Sequence, residues 1–268
     1  FEQVFGFNDK EPLPKQLARL YLRYPTLNRH LSGKLSEMQG GDFWKDEAVI
    51  DGADGKRYDV LIDITAVSGE SNTAEHYLIV ISDITEQKNA ERKLLKIATY
   101  DSLTGLVNRT LLLDRLEHAI GLARHHEHRV AVMFVDLDRF KGINDSLGHD
   151  YGDKLLRIVA NRMRNLVAES GTVARLGGDE FVIVVEEVNV SDDLSSFVAQ
   201  IIESVETPIS LAEEVLRVSC SIGVAFYPED ASEPAELIKQ ADVAMYTAKK
   251  DALSGFTYFT RDMNERAK

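Results

Sequence analysis

The chain has too little cysteine and too little positive charge for several classes of protein. A single cysteine, Cys220, excludes an internal disulfide, and with it a small secreted scaffold held together by disulfides. Lysine and arginine total 31 residues against 44 aspartate and glutamate residues, which gives a net charge of −13. Nonspecific binding to nucleic acid or to an anionic membrane needs a basic surface, so this balance argues against both. A nucleotide could still bind in a local basic pocket.

Long apolar runs are missing as well. No apolar stretch approaches the ~20 residues of a membrane span, and no signal peptide is recognisable. We therefore expect no membrane segment here and a reducing, cytoplasmic location, although the parent protein could still be anchored to a membrane. The chain begins at Phe1 rather than Met, which indicates a fragment. Its 268 residues, 44% of them hydrophobic, favour two domains with separate cores.

Residues 1–85 have the pattern of a small antiparallel sheet. The segment 56–67 alternates apolar and polar residues with a period of two, which is typical of a half-buried strand. Further apolar runs at 48–50 and 77–81 predict neighbouring strands, and we interpret the mixed pattern of 15–35 as helical. The sequence therefore predicts a sheet with helices packed on one side.

Motifs in this region resemble the later part of a PAS sensor domain. They are Phe1-x-x-Val4-Phe5-Gly6-Phe7, then Phe43-Trp44, then Ile81-Ser82-Asp83-Ile84-Thr85-Glu86. The opening strands of that family are absent, so the resemblance implies a truncated domain. PAS domains bind haem, flavin, small acids or nothing, and no residue here selects among these ligands. We interpret Phe43 and Trp44 as core residues, and His30 and His76 as surface residues.

Residues 86–100 predict a linker helix between this domain and a second one at 101–268. Asp83 followed by Glu86 indicates a start like a capping box, and no glycine or proline interrupts the run to Tyr100. A plain linker and a short coiled-coil seam both fit the helix. The residues of that seam, which recur at 3-4-3 spacing, are Gln87, Ala90, Leu94 and Ile97.

Two apolar runs joined by a glycine pair predict a β-hairpin within residues 172–185. Gly177 and Gly178 stand at the turn, where glycine reaches positive φ without steric cost. Because they carry no side chain, a bulky substrate could approach the backbone there. Asp179 and Glu180 follow directly, and adjacent carboxylates suit a hard divalent cation. A solvated hairpin tip is the alternative for this segment taken alone.

Two more carboxylates follow the apolar run 130–135, which predicts a strand buried on both faces. Asp136, at the strand end, is a candidate metal ligand, whereas we expect Asp138 to have a structural role. An EF-hand loop is excluded because three of its positions carry unsuitable residues. Those residues are Phe140, Lys141 and Leu147.

The turn after these acids leads into a helix, and its backbone N–H groups, with Lys141, would make a phosphate cradle. Residues 136–153 together with 177–181 resemble the diguanylate cyclase domain named GGDEF for its Gly-Gly-Asp-Glu-Phe signature, with a match over about 101–259. The resemblance implies an α/β, palm-like fold related to nucleotidyl cyclases and polymerases, with a mostly antiparallel central sheet flanked by helices. It also implies that two GTP molecules condense into cyclic di-GMP, releasing pyrophosphate.

The same resemblance implies roles for individual residues. Asp136, the Leu137 carbonyl and Asp179 would hold Mg²⁺ or Mn²⁺, two ions per site, and Glu180 would bind the second ion or help deprotonate the ribose 3′-OH. Two cations roughly 3.5–4 Å apart can stabilise both the attacking and the leaving oxygen. The phosphates would be contacted by the backbone amides of Phe140 and Gly142 and by the ammonium groups of Lys141 and Lys249.

Asn144 and Asp153 would read the guanine base. A carboxylate can accept hydrogen bonds from both N1–H and N2–H of guanine, and adenine offers neither donor in that arrangement. An unmatched buried polar group costs about 1–3 kcal/mol, so we expect GTP to be selected over ATP. The rival interpretation of each residue is a cap, with Asn144 in a turn and Asp153 in the first turn of a helix.

Two departures from the family pattern affect these expectations. The motif at 241–249 matches the family, but Leu253 stands where the family has a phosphate-clamping Arg, so weaker GTP binding or lower turnover is expected. Product-inhibited members carry Arg-x-x-Asp before the hairpin. This chain has Ala168-Glu169-Ser170-Gly171 there, so no inhibitory site is expected. Beyond the hairpin we predict a helix over 192–205, one strand over 215–227 and a helix over 233–250.

The chemistry also implies an assembly. Each domain binds one GTP and each 3′-OH must attack the other nucleotide, so catalysis needs a homodimer, whose orientation the PAS-like domain and linker would set. An alternative follows from the tail 256–265, which resembles a junction to a cyclic di-GMP phosphodiesterase domain. The cyclase-like domain would then be a catalytically weak, GTP-binding regulator of that domain. A sensor and dimerisation scaffold with a dead site is the third possibility.

Overall fold

A computed structural model describes residues 35, 37–52, 54–68, 74–126, 128–189, 194–211, 214–250 and 255–266. The chain divides into two compact units, Phe1–Leu94 and Leu95–Lys268. Four sequence predictions lie outside the described residues. They are the helix over 15–35 except for its last residue, the motif from Phe1 to Phe7, the surface position of His30 and the departure at Leu253.

The first unit contains a three-stranded antiparallel sheet. Its strands β1 (Phe43–Asp51), β2 (Arg57–Ser68) and β3 (Ala74–Asp83) lie in the order β1-β2-β3. Every second residue of β2 is buried, as the alternation predicted, and these side chains form a core with Met38 and Ile50. The sheet does not by itself distinguish a PAS domain from other small sheets, so that assignment remains a prediction.

The two aromatic residues of β1 lie in different surroundings. Trp44 packs against the core, as predicted, whereas Phe43 is 63% exposed, so its interpretation as a core residue is wrong. Successive side chains of a strand point to opposite faces, and therefore only one of these neighbours can face the core. His76 is exposed, as predicted.

The linker helix α1 comprises Thr85–Thr99. The Asp83 carboxylate accepts a hydrogen bond from the backbone N–H of Thr85 at 2.9 Å and so marks the helix start. Midway along the helix, the Arg92 guanidinium donates two hydrogen bonds to the Asp59 carboxylate, at 3.0 and 3.1 Å, and holds the helix to the sheet of the first unit. None of the helix residues is buried, and Leu94 and Ile97 of the predicted seam are exposed.

Besides a short 3-10 helix at Ala168–Ser170, the second unit contains six α-helices and seven strands within the described ranges. In chain order these are α2 (Arg109–His126), β4 (Arg129–Leu137), α3 (Phe140–Leu147), α4 (His149–Val167), β5 (Gly171–Gly177), β6 (Glu180–Val188), α5 (Ser195–Glu206), β7 (Ile209–Leu211), β8 (Glu214–Leu216), β9 (Cys220–Tyr227), α6 (Pro234–Lys250), β10 (Phe256–Tyr258) and α7 (Met263–Arg266). The main sheet has the order β10-β9-β4-β6-β5 and is antiparallel except for the β10–β9 pair. This mixed α and β architecture agrees with the sequence prediction, and its relation to a polymerase palm remains a prediction.

The central strand β4 is buried on both faces, as its continuous apolar run predicted. Met133 and Val135 belong to a core that includes α4 and α5, whereas Val132 and Phe134 belong to a core that includes α2 and α6. Helices therefore cover both faces of the sheet, and its strand ends remain available for chemistry. None of the described helices is long and apolar enough to cross a membrane.

The strand predicted over 215–227 is in fact two strands. β8 ends at Leu216 and β9 begins at Cys220. Between them, the carbonyl of Ser219 accepts a hydrogen bond from the backbone N–H of Asp138 at 2.9 Å. The apolar pattern alone would place Ser219 in the middle of one continuous strand.

Candidate active site

The glycine pair forms the turn of a hairpin between β5 and β6, as the sequence predicted. Gly178 has a φ of 52°, in the left-handed region that glycine reaches most easily. No atom lies within 4 Å of the position that a Cβ would take on Gly177 or Gly178, so the space beside the turn is open. The Asp179 carbonyl accepts a hydrogen bond from the Leu137 N–H at 3.3 Å, which places the turn beside the end of β4.

Carboxylates from the two predicted motifs meet where β4 pairs with β6. Asp136 lies directly opposite Glu180 in the strand register, so the two side chains share one face of the sheet. Burial raises the pKa of Asp136, and the neighbouring charges of Asp179 and Asp138 raise it further, against the opposing effect of Lys249. The pKa of Glu180 is also raised, first by burial and then by Asp242, Asp136 and Asp179. The acids therefore form one electrostatically coupled cluster.

The ammonium group of Lys249, near the end of α6, contacts the Oδ1 atom of Asp136. Burial lowers the pKa of Lys249, but the hydrogen bond and charge of Asp136 outweigh burial, so the net shift is upward. Sequence analysis predicted that Lys249 contacts phosphates, and here it lies at the predicted metal ligand instead. The positive charge of Lys249 reduces the repulsion among the clustered carboxylates.

The cluster fits a divalent cation by its chemistry rather than by its present spacing. Within the described ranges, no three His, Cys, Asp or Glu side chains converge closely enough to hold a metal ion. The acids nevertheless supply only oxygen donors, and burial, followed by the charges of neighbouring acids, raises the pKa of both Asp136 and Glu180, a shift that a hard cation would oppose. The residues present therefore suit Mg²⁺ or Mn²⁺.

The predicted phosphate cradle corresponds to the start of α3. Phe140 is buried there, whereas Lys141 and Gly142 are exposed. The backbone N–H of Gly142 donates to the carbonyl of Arg139 at 2.9 Å, so it could contact a phosphate only by sharing that bond. Arg139 itself has a φ of 56°, which is unfavourable for a residue with a Cβ.

The predicted guanine-reading residues lie on two consecutive helices. The Oδ1 atom of Asn144, in α3, is buried and has no hydrogen-bond partner in the described part of the chain. A Cβ on Gly152, in α4, would lie 1.9 Å from that oxygen, so only glycine permits this close approach. Asp153 follows Gly152 and is half-buried.

The rival interpretation of both residues as caps is wrong. Asn144 lies inside α3 rather than in a turn, and Asp153 is the fifth residue of α4. The N-cap of α4 is Gly148, and no side chain caps that end.

Asp138 does have the structural role that was expected. Its carboxylate accepts hydrogen bonds from the hydroxyl groups of Ser219, at 2.8 Å, and Ser221, at 2.9 Å.

The sequence did not predict one of the contacts at the hairpin. The Arg175 guanidinium donates to both carboxylate oxygens of Asp101 at 3.0 Å and to the carbonyl of Gly178 at 2.8 and 3.1 Å. Burial raises the pKa of Asp101, but the hydrogen bonds from Thr104 and Arg175 outweigh burial and lower it overall. The turn is thereby held to Asp101, which lies shortly after the end of α1 in the chain. The only sequence signal was an arginine two residues before the glycine pair.

Comparison with known proteins supports the interpretation of the second unit. A family model described as "Diguanylate cyclase, GGDEF domain" matches residues 98–253. The chain is 43% identical over 183 residues to the bifunctional diguanylate cyclase/cyclic di-GMP phosphodiesterase MucR of Pseudomonas aeruginosa, an alignment that covers 68% of this chain and 27% of MucR. It is 45% identical over 156 residues to the diguanylate cyclase TpbB of the same species, covering 58% of this chain and 36% of TpbB.

A solved structure shows the same relationship. The GGDEF domain of TpbB, also called YfiN, from Pseudomonas aeruginosa superimposes with a TM-score of 0.60 at 41% identity. The superposition covers 63% of this chain and 98% of that domain. The chain thus spans an almost complete domain of this type but only 27% and 36% of the full-length relatives MucR and TpbB.

Proposed function

Because this chain belongs to the family of GGDEF diguanylate cyclase domains, we propose that residues 101–268 condense two GTP molecules into cyclic di-GMP and release pyrophosphate. The observation that carries the proposal is the pairing of Asp136 with Glu180 beside the open glycine turn. This arrangement places acidic side chains next to space that a nucleotide can enter.

We propose that Asp136, the Leu137 carbonyl, Asp179 and Glu180 hold two divalent cations. When bound, the cations would stabilise the developing charge on the attacking and leaving oxygens. Glu180 would also accept the proton of the ribose 3′-OH. Its position opposite Asp136, beside the open glycine turn, would let it reach that hydroxyl.

We propose that the start of α3 and the end of α6 bind the phosphates. The exposed ammonium of Lys141, the amides of Phe140 and Gly142, and Lys249 would provide the contacts, and the side-chain-free surface of Gly177 and Gly178 would let the nucleotide reach the backbone. The guanine would be read by Asn144 and Asp153. The unpartnered Asn144 oxygen supports this role, because a buried acceptor without a donor is unfavourable until a ligand supplies one.

Ring closure requires that each 3′-OH attack the α-phosphate held by another domain, so the proposal includes a homodimer with two-fold symmetry. We expect the purified chain, incubated with GTP and Mg²⁺ or Mn²⁺, to form cyclic di-GMP at a rate that rises faster than linearly with protein concentration. Chromatographic quantification of the product at several protein concentrations provides the measurement.

Two results, from this assay combined with GTP-binding and thermal-melting measurements on the same chain, would redirect the proposal. Metal-dependent GTP binding without product would favour the alternative, a catalytically weak GTP-binding regulator of a phosphodiesterase domain elsewhere in a longer protein. The relative MucR is named as both a cyclase and a phosphodiesterase, so the two activities occur together in one related protein. Leu253 in place of the family Arg also favours weak catalysis. A failure of both GTP and Mg²⁺ to raise the melting temperature would indicate a dead site.

We further propose that residues 1–85 are a PAS-like sensor domain and that residues 86–100 transmit its signal by setting the orientation of the two cyclase domains. The exposed apolar side chains of Leu94 and Ile97 offer a surface for pairing of two linker helices. Running the same assay after removal of residues 1–82 tests this part. Unchanged dimerisation and activity would contradict it. We place the reaction in the cytoplasm, where GTP is available.

A further inference from the structure

A large cavity lies beside the proposed phosphate site, in the second unit. Its volume is about 1210 Å³, and α3, α5, the loop before β9 and the end of α6 form its walls. Lys249 lies on one wall and Gly142 on another, so the cavity adjoins two residues of the proposed phosphate site. A ligand held at that site could therefore extend into the cavity.

Two arginines line this cavity without a partner among the described residues. Arg139 and Arg217 are both exposed, and neither guanidinium makes an ion pair or hydrogen bond with any residue that the structure describes. The acids on the walls are Glu206 and Asp138, and both carboxylate oxygens of Asp138 already accept hydrogen bonds from Ser219 and Ser221. Unpaired guanidinium groups facing one cavity are unexpected in a chain with a net charge of −13.

The backbone conformation of Arg139 also indicates a ligand site. Its φ of 56° and ψ of 21° are left-handed, a conformation that a residue with a Cβ adopts at a cost. Such residues concentrate at ligand sites, where the surrounding structure enforces the conformation. Glycine would relieve the strain but would remove a guanidinium from the cavity.

We propose that Arg139 and Arg217 bind the β- and γ-phosphates of GTP within this cavity. A planar guanidinium donates two parallel hydrogen bonds to phosphate oxygens, which neither Lys141 nor Lys249 can do. The two arginines thereby supply the kind of contact that Leu253 cannot make in this chain. This inference rests on the proposed function, because it assumes that the nucleotide is GTP bound at Lys249.

Binding measurements with unreactive ligands test the inference apart from catalysis. The first ligand is a GTP analogue with a methylene group between the α- and β-phosphorus atoms, which cannot release pyrophosphate, and the second is GMP. In the presence of Mg²⁺, we expect Arg139→Gln and Arg217→Gln each to weaken binding of the triphosphate analogue about tenfold while leaving the affinity for GMP unchanged. Arg164→Gln, which removes an exposed arginine of α4, is the charge-matched control and should change neither affinity.

The outcomes separate this inference from the function on which it rests. Binding of the triphosphate analogue by the two variants as tightly as by the unmodified chain would overturn the role of the arginines and leave the proposed function standing. An equal loss of affinity for GMP would also overturn it, since the effect would not depend on the terminal phosphates. A folded, unmodified chain that binds no triphosphate would overturn both.

Discussion

Replacing Glu180 with glutamine should lower the rate of cyclic di-GMP formation by about 10²- to 10⁴-fold, the range expected when a general base is lost. Glutamine preserves the shape of the side chain but can neither accept the ribose proton nor bind a cation as a carboxylate does. The fold should persist, because Glu180 lies at the exposed start of β6. Its ionised form is disfavoured by burial and by neighbouring acids, so its neutralisation should leave the melting temperature unchanged or raise it.

The matched control for this experiment is Glu187→Gln, which changes the same residue type near the other end of β6. Glu187 is exposed and lies far along the strand from Asp136, so the control should keep normal activity. The measurement is the rate of product formation at one fixed protein concentration under saturating GTP and Mg²⁺, with thermal melting of each variant. Activity retained within threefold in Glu180→Gln would contradict the proposed role of this residue.

Replacing Gly223 with alanine should destabilise the second unit strongly, by about 3 kcal/mol. A Cβ at this position would lie 2.0 Å from the carbonyl oxygen of Ala241 and 2.1 Å from the amide nitrogen of Met245, both in the backbone of α6. Backbone atoms cannot rotate away as the end of a flexible side chain can. The helix and β9 would therefore have to separate, which would disturb the core that they share and displace Lys249 at the helix end.

A second glycine provides the control. Gly121 lies inside α2, and no atom lies within 4 Å of the position of its missing Cβ. Gly121→Ala should therefore stabilise the protein by up to about 1 kcal/mol, because alanine favours helix. Thermal melting of both variants makes the comparison. A melting temperature of Gly223→Ala equal to that of the unmodified chain would show that β9 and α6 can move apart at little cost.

Local patterns predicted much of the fold, because they are governed by neighbouring residues. The run 130–135 gave a strand buried on both faces, and the glycine pair gave the hairpin. The meeting of Asp136 with Glu180 is different, since 44 positions separate them in the chain and strand register determines whether they touch. Without the structure, only the resemblance to a known family predicted that these two residues belong to one site.

Apart from Phe43, which strand alternation places on the exposed face of β1, the failures of prediction share a physical cause, which is contact between distant parts of the chain. The apolar pattern of 215–227 contains no sign that the chain leaves one sheet after Leu216, where β8 pairs with β7, and joins the main sheet at Cys220, where β9 pairs with β4. Asn144 was compatible with a cap because its environment depends on Gly152 in the next helix. The contact between Arg175 and Asp101 likewise spans residues that have no shared local pattern.

The contact between Lys249 and Asp136 would make cation binding at the proposed metal site an exchange rather than a simple addition. An ion that binds the Oδ1 atom of Asp136 would have to displace the ammonium group, which would weaken the affinity of the site for the free ion. Triphosphate oxygens would receive the displaced ammonium, so nucleotide and metal would each increase the affinity of the other by the same factor. Positive thermodynamic coupling of this kind would keep the site free of metal when GTP is scarce, and GTP titrations at two Mg²⁺ concentrations would reveal it.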